Sequence, residues 1–209
     1  MTYKPMLITV SGMSGVGKDS VVMGLCKLDN TLRRVPSATT RPQRPDEIEA
    51  VDYYFMGREK FLKAKENGDI PEVSDYHGNL YGAWLPAIRE HMNQGLSPIK
   101  DWTWSGVEYF QRDFPQETFS VLVMPPSRER LFQRLTKRNP EKAEDGKRRF
   151  KAAEEDLDHL NDPFHIFTNP DMRGSKLTDY DAVFVNDDLE VTVYAVAKRI
   201  AEERQKRGG

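Results

Sequence analysis

One cysteine in 209 residues, Cys26, excludes an internal disulfide and fits a reducing, cytoplasmic compartment. Cys26 falls on a helical stretch, where a packed core thiol is expected rather than a reactive one. No apolar run approaches the about 20 residues needed to span a membrane. The N-terminal stretch also lacks the basic-then-apolar design of a secretory leader, so none is expected. Histidine is scarce, at four residues with no metal-ligand spacing, and His77 reads as a surface residue of a hairpin. No Ser/His/Asp or Cys/His grouping is legible, which removes the common nucleophilic hydrolases. Excess charge of one sign is missing too. A net charge of −2 argues against coating nucleic acid, so any anion binding must come from local basic clusters. Repeats and low-complexity tracts are absent.

What remains is a chain with 31% charged and 38% hydrophobic residues, suited to one soluble globular unit with room for small inserted lobes. It is organised around Val10-Ser11-Gly12-Met13-Ser14-Gly15-Val16-Gly17-Lys18-Asp19-Ser20. Before it, Met6–Val10 is an apolar run suited to a buried strand; after it, Val21, Val22, Leu25 and Leu28 recur at helical spacing. A glycine-rich turn can merely join a strand to a helix. Gly, four residues and Gly-Lys in this context instead read as a phosphate-binding loop. Glycines at 12, 15 and 17 let backbone N–H groups approach a polyphosphate, and the helix adds the positive end of its dipole. Lys18 supplies a mobile charge for the β- and γ-phosphates. Asp19 stands where a hydroxyl commonly meets magnesium, with Ser20 one place later; a carboxylate there either ligates the metal or repels phosphate.

The first helix is expected to end near Asp29-Asn30. The Pro- and Arg-rich Val35–Glu47 reads as extended chain and loop. Val51–Phe55 reads as a short strand, Arg58–Asn67 as a helix and Asp75–Gly82 as a hairpin turning near Gly78-Asn79. A helix from Pro86 stops at Gly95. Strands follow over Pro98–Trp104 and Phe119–Met124. Ser127 caps a helix reaching about Asn139, and another spans about Lys147–Leu160. An irregular insert covers Asn161–Lys176, before a strand over Asp181–Asn186 and a closing helix carrying Leu189, Val193, Val196 and Ile200. Alternating strands and helices predict an α/β fold with a mainly parallel sheet covered on both faces, and the hairpin-like Ser37–Trp84 interval predicts an inserted lobe.

Arg41 and Arg44, three apart in the proline-rich segment, suit bidentate phosphate contact that Tyr53 and Tyr81 hydroxyls can complete. Between Arg130 and Lys151, nine Lys/Arg stand against three Asp/Glu, with Arg134 and Arg138 on one helical face. Each group alone is equally a solvated surface. Phosphoryl transfer makes sense of both, because it needs positioning and compensation of negative charge more than covalent chemistry.

Over nearly its whole length the chain resembles the guanylate kinases. The shared stretches are Ser14–Lys18, Ser37–Arg44, Val51–Phe55, Gly78–Gly82, Pro125-Pro126-Ser127, Arg134–Arg138 and Val185–Asp188. The resemblance implies a P-loop kinase core (1–36, 94–129 and 160–209), a nucleoside-monophosphate lobe (37–93) and a lid (130–159). It implies transfer of the γ-phosphate of ATP to GMP or dGMP with Mg2+. ATP would lie on Gly12, Met13, Ser14, Gly15, Val16, Gly17, Lys18, Asp19, Ser20, Arg134 and Asn186, with Asp19 and Ser20 near the metal. GMP would meet Ser37, Arg41, Arg44, Tyr53, Glu72, Tyr81 and Asp101. Lys18, Arg41, Arg138 and Arg149 would serve the transferring phosphate. The chain departs from the family pattern at Ala83, where a hydroxyl usually meets the guanine carbonyl, and at Thr103, usually a second aspartate. Asp19 and the 161–176 insert also depart. A related branch phosphorylating ribose 1,5-bisphosphate shares the Asp-Ser pair after the loop lysine, and some guanylate-kinase-like domains are inactive protein-binding modules. The oligomeric state is not legible.

Overall fold

Strands β1 (Leu7–Ser11) and β8 (Thr118–Met124) are buried along their whole length, as near-continuous apolar runs covered on both faces must be. The computed structural model describes residues 4–76, 78–137, 146, 148–153 and 179–208. The elements between β1 and β8 are α1 (Lys18–Leu28), β2 (Leu32–Arg34), β3 (Ala38–Thr39), β4 (Tyr54–Phe55), α2 (Arg58–Glu66), β5 (Val73–Tyr76), β6 (Asn79–Gly82), α3 (Leu85–Asn93), β7 (Ser97–Asp101) and α4 (Trp104–Asp113). After β8 come α5 (Arg128–Lys137), β9 (Ala182–Val185) and α6 (Leu189–Gly208).

The main sheet runs β2-β7-β1-β8-β9 with every pairing parallel. One core cluster joins β1 and β8 to α1, α5 and α6 through Ile8, Val10, Leu25, Phe119, Leu131 and Val196. A second joins Leu7 and Trp102 to Ile88 of α3 and Phe110 of α4. Cys26 packs at the edge of the first cluster, and burial pushes its thiol above the usual range, as a core thiol requires. From β1 the chain crosses to β2 at one edge, returns through β7, then continues to β8 on the other side. Phosphate loop and β7 thus meet at the carboxyl ends of strands where the winding reverses, the general place for a ligand cleft in such sheets.

The inserted lobe has its own four-stranded sheet, β4-β3-β6-β5, and its own small core of Ala38, Met56, Phe61, Ile70 and Leu80. Its β5–β6 hairpin follows the expectation, and β3 lies within the expected extended chain. Helix α3, the last part of the 37–93 interval, packs with Leu7 and Phe110 of the main body.

Two readings are corrected. The strand expected over Pro98–Trp104 ends at Asp101, because Thr103 caps α4: its Oγ1 accepts from Gly106 N at 3.2 Å. Helix α4 itself was not anticipated, although Val107 and Phe110 are its buried face. The strand expected over Val51–Phe55 shrinks to Tyr54–Phe55 behind a turn in which Ala50 takes φ 61°. Residues 148–153, part of the helix expected over about Lys147–Leu160, are helical, and the rest of that stretch lies outside the described residues. The 161–176 insert, Arg138 and His77 lie outside the described residues. No helix among the described residues is long and apolar enough to cross a membrane.

Candidate active site

The carbonyls of the loop after β1 are taken by Lys18, by Asn186 and by the N–H of Val16. Gly12 takes φ 142°, and a Cβ there would lie 2.2 Å from the Val123 carbonyl oxygen on the neighbouring strand. Gly17, at φ 95°, is the N-cap of α1 and makes no side-chain cap bond. A Cβ on Gly17 would lie 2.7 Å from Asn186 Nδ2. Asn186 is almost fully buried and donates Nδ2 to the Val16 carbonyl at 2.7 Å. Arg134 donates to the carbonyls of Asn186 at 2.7 Å and Asp187 at 3.2 Å. Asn186 from the β9–α6 side and Arg134 from α5, both expected on ATP, thus brace the loop at Val16. Arg149 of the helical 148–153 stretch donates to Ser14 Oγ at 3.0 Å. Lys18 folds over the loop, its Nζ donating to the carbonyls of Gly12 at 2.6 Å and Met13 at 3.2 Å. An ammonium tethered to loop carbonyls is held where phosphate oxygens would arrive.

From this loop a cleft of about 410 Å³ crosses to the inserted lobe. Gly12, Ser14 and Lys18 line one end, and Ser37, Glu72 and Tyr81 line the other together with Lys100 and Asp101 of β7. Glu72 is oriented across the two sheets: its Oε1 accepts from Ser105 Oγ at 2.7 Å and from Thr103 Oγ1 at 3.3 Å. The Thr103 hydroxyl therefore has two tasks, capping α4 and holding the carboxylate of Glu72. Ala83 also lines this end and offers no hydrogen bond.

Arg41 lies beside the aromatic pair. Its guanidinium is 5.3 Å from the Tyr53 ring centroid and 5.6 Å from that of Phe55, and the Tyr53 and Tyr81 rings are 5.8 Å apart. One nitrogen bonds Glu47 Oε1 at 2.6 Å, and another donates to the Pro42 carbonyl at 2.8 Å. Glu47 also accepts from the Arg44 backbone N–H at 2.9 Å. The hydrogen bond from Arg41 holds the Glu47 carboxyl below its usual range, and burial pushes the Tyr53 phenol up, keeping it an O–H donor. Arg41, Tyr53 and Tyr81 are thus brought together, while Arg44 touches this group through its backbone.

Glu47, Ser105 and Lys100 escaped the sequence reading. Glu47 had a signal, a carboxylate following Arg41 and Arg44 in one short loop. Ser105 pairs with Glu72 across 33 residues, which local sequence does not announce.

The residues fit magnesium only in the manner of kinase sites. Among the described residues no group of three or more His, Cys, Asp or Glu could hold a metal ion. Magnesium needs no such cage, taking one or two protein oxygens and completing its shell with substrate phosphates and water. Asp19 and Ser20, exposed on the first turn of α1, are the oxygens available there.

The chain is similar to known proteins along most of its length. A family model described as guanylate kinase matches residues 4–203. A guanylate kinase of Pseudomonas fluorescens is 34% identical over 184 residues, 88% of each chain. One of Rickettsia felis is 31% identical over 203 residues, 97% of this chain and 96% of its own. The crystal structure of guanylate kinase from Anaplasma phagocytophilum superposes with a TM-score of 0.69 at 26% identity, covering 97% of this chain and 88% of the other. A family model over residues 4–203 and relatives above 30% identity along most of both chains place it in one family: the chain belongs to the guanylate kinases.

Proposed function

We propose that this chain transfers the γ-phosphoryl group of ATP to GMP or dGMP. The observation that carries the reading is a cleft with Lys18 and the phosphate loop at one end and Glu72 and Asp101 at the other. Guanine presents its N1–H and 2-amino group as donors, and two carboxylates are the acceptors that suit them. Ser37 completes that end. Arg41, Arg44, Tyr53 and Tyr81 take the acceptor phosphate, the stacked and tethered guanidinium needing little ordering when it binds. Lys18, the N-terminus of α1 and Arg149 surround the transferring phosphoryl group, with Arg138 joining from the lid and Arg134 and Asn186 on the adenine side. Asp19 or Ser20 would supply the protein oxygen for magnesium, which would help neutralise the charge developing on the phosphates.

A base-free acceptor such as ribose 1,5-bisphosphate would leave Glu72 and Asp101 without partners. Intact Lys18, Arg41 and Arg149 argue against an inactive binding module. Incubation with ATP, Mg2+ and GMP, followed by ion-exchange chromatography, tests the reading: ADP and GDP should appear in equal amounts. ADP without GDP would refute it.

Two substitutions separate the parts of the cleft. Arg41→Ala should raise the GMP KM by about 10- to 100-fold with a smaller change in kcat, since a charge-assisted bond to the acceptor phosphate is lost. Ser105→Ala should raise the same KM by about 3- to 10-fold by freeing Glu72 to rotate, and steady-state kinetics measure both. An unchanged GMP KM in Ser105→Ala would mean that the hydroxyl does not position Glu72.

A further inference from the structure

Lys100 is the cation in the cleft that neither the phosphate loop nor the acceptor-phosphate group accounts for. It sits on β7 between buried Ile99 and Asp101 and lines the base end with Glu72 and Ala83. Its Nζ stands 5.4 Å from the Trp102 ring centroid. Among the described residues no hydrogen bond or ion pair reaches that nitrogen. Its register partner on β1, Thr9, carries a buried hydroxyl that also lacks a partner, so the ammonium is not spent on the strand behind it. Burial pushes the ammonium below the usual lysine range while the Asp101 carboxylate pulls the other way. A half-desolvated ammonium with unspent donors is costly unless something in the cleft accepts from it.

The chemistry of the base supplies the acceptor. On the same edge as its N1–H and 2-amino donors guanine carries the O6 carbonyl, and the position that would offer a hydroxyl to it is Ala83. Thr103 is committed to Gly106 N and Glu72. We infer that Lys100 is a specificity-determining residue whose ammonium donates to the O6 carbonyl of the acceptor base, replacing the hydroxyl missing at Ala83. A cation beside two carboxylates also makes the pocket match guanine's alternation of acceptor and donors, and it disfavours adenine, whose 6-amino group would face the ammonium. A counter-ion to Asp101 would be paired with it, and no such pair is present among the described residues.

This inference rests on GMP being the acceptor, and the test keeps the two apart. GMP is compared with 6-thioguanosine 5′-monophosphate, which keeps N1–H and the 2-amino group but offers sulfur, a weak acceptor, at position 6. Steady-state kinetics are run on the parent, Lys100→Met and Lys100→Gln. The expected result is a GMP KM raised about 10- to 100-fold in Lys100→Met, the range for one charge-assisted bond. The kcat/KM preference of the parent for GMP over the thio analogue should fall at least about fivefold in Lys100→Met. Lys100→Gln, keeping a neutral donor, should lie between parent and Lys100→Met; the milder change also serves should Lys100→Met fold poorly. An unchanged GMP KM, or equal losses on both acceptors, overturns the inference and leaves Lys100 a general counter-charge. A parent that does not phosphorylate GMP overturns the proposed function instead.

Discussion

Replacing Lys18 by Ala is expected to lower kcat with ATP and GMP by about 10²- to 10³-fold, the range for removing one preorganised group that stabilises transition-state charge. The Lys18 ammonium is tethered to the carbonyls of Gly12 and Met13, so it meets incoming phosphate oxygens with little rearrangement. Charge on the moving phosphoryl group is what the protein must balance, and nothing else on the loop side chains carries a positive charge. The loss should fall on kcat more than on the GMP KM, because Lys18 faces the donor end of the cleft. Thermal unfolding should barely change, since Lys18 is not part of the core. Equal turnover in Lys18→Ala and the parent would refute the phosphate-loop assignment.

Gly12→Ala is expected to unfold the molecule more readily and to abolish ATP binding together. At φ 142° an alanine is strained, and its Cβ would meet the Val123 carbonyl at 2.2 Å. Backbone strain of about 1–3 kcal/mol adds to an overpacking cost of about 1–3 kcal/mol. Since β1 and β8 are paired through five register positions, the clash cannot be relieved without opening the centre of the sheet. For a chain of this length the sum corresponds to a melting temperature lower by roughly 5–20 °C. Gly68→Ala is the control: it has φ 79° but nothing within 4 Å of the added Cβ. It should cost only the backbone term, about 1 kcal/mol, and leave activity intact. Calorimetry of the two variants separates crowding from strain; equal shifts would show that the Val123 contact has no effect.

The phosphate loop was legible because its chemistry is local: glycines that free the backbone, a lysine at fixed spacing, a strand before and a helix after. The β5–β6 hairpin was legible for a similar reason, its turn glycine at φ 80° between two extended runs. Helix α4 was hidden by Trp102 and Trp104, which look like strand residues until Thr103 is seen as a cap. The same threonine looked like a lost guanine contact, whereas folding turns it toward Glu72. Glu47 was read as loop, and only the folded turn brings it to Arg41. What stayed illegible is what depends on contacts between elements far apart in sequence: the Ser105–Glu72 bond, the Asn186 brace under the loop and the exposure of Lys100 to the cleft.

The most direct test of the central claim is kcat/KM by coupled ADP release with ATP and Mg2+, offering GMP, dGMP, AMP, CMP, UMP, dTMP and ribose 1,5-bisphosphate in parallel. The expected result is turnover on GMP and dGMP at least about 100-fold above every other acceptor, the discrimination available to a pocket whose buried polar groups a wrong base leaves unpaired. Turnover on another acceptor in preference to GMP, or on none, would contradict the account.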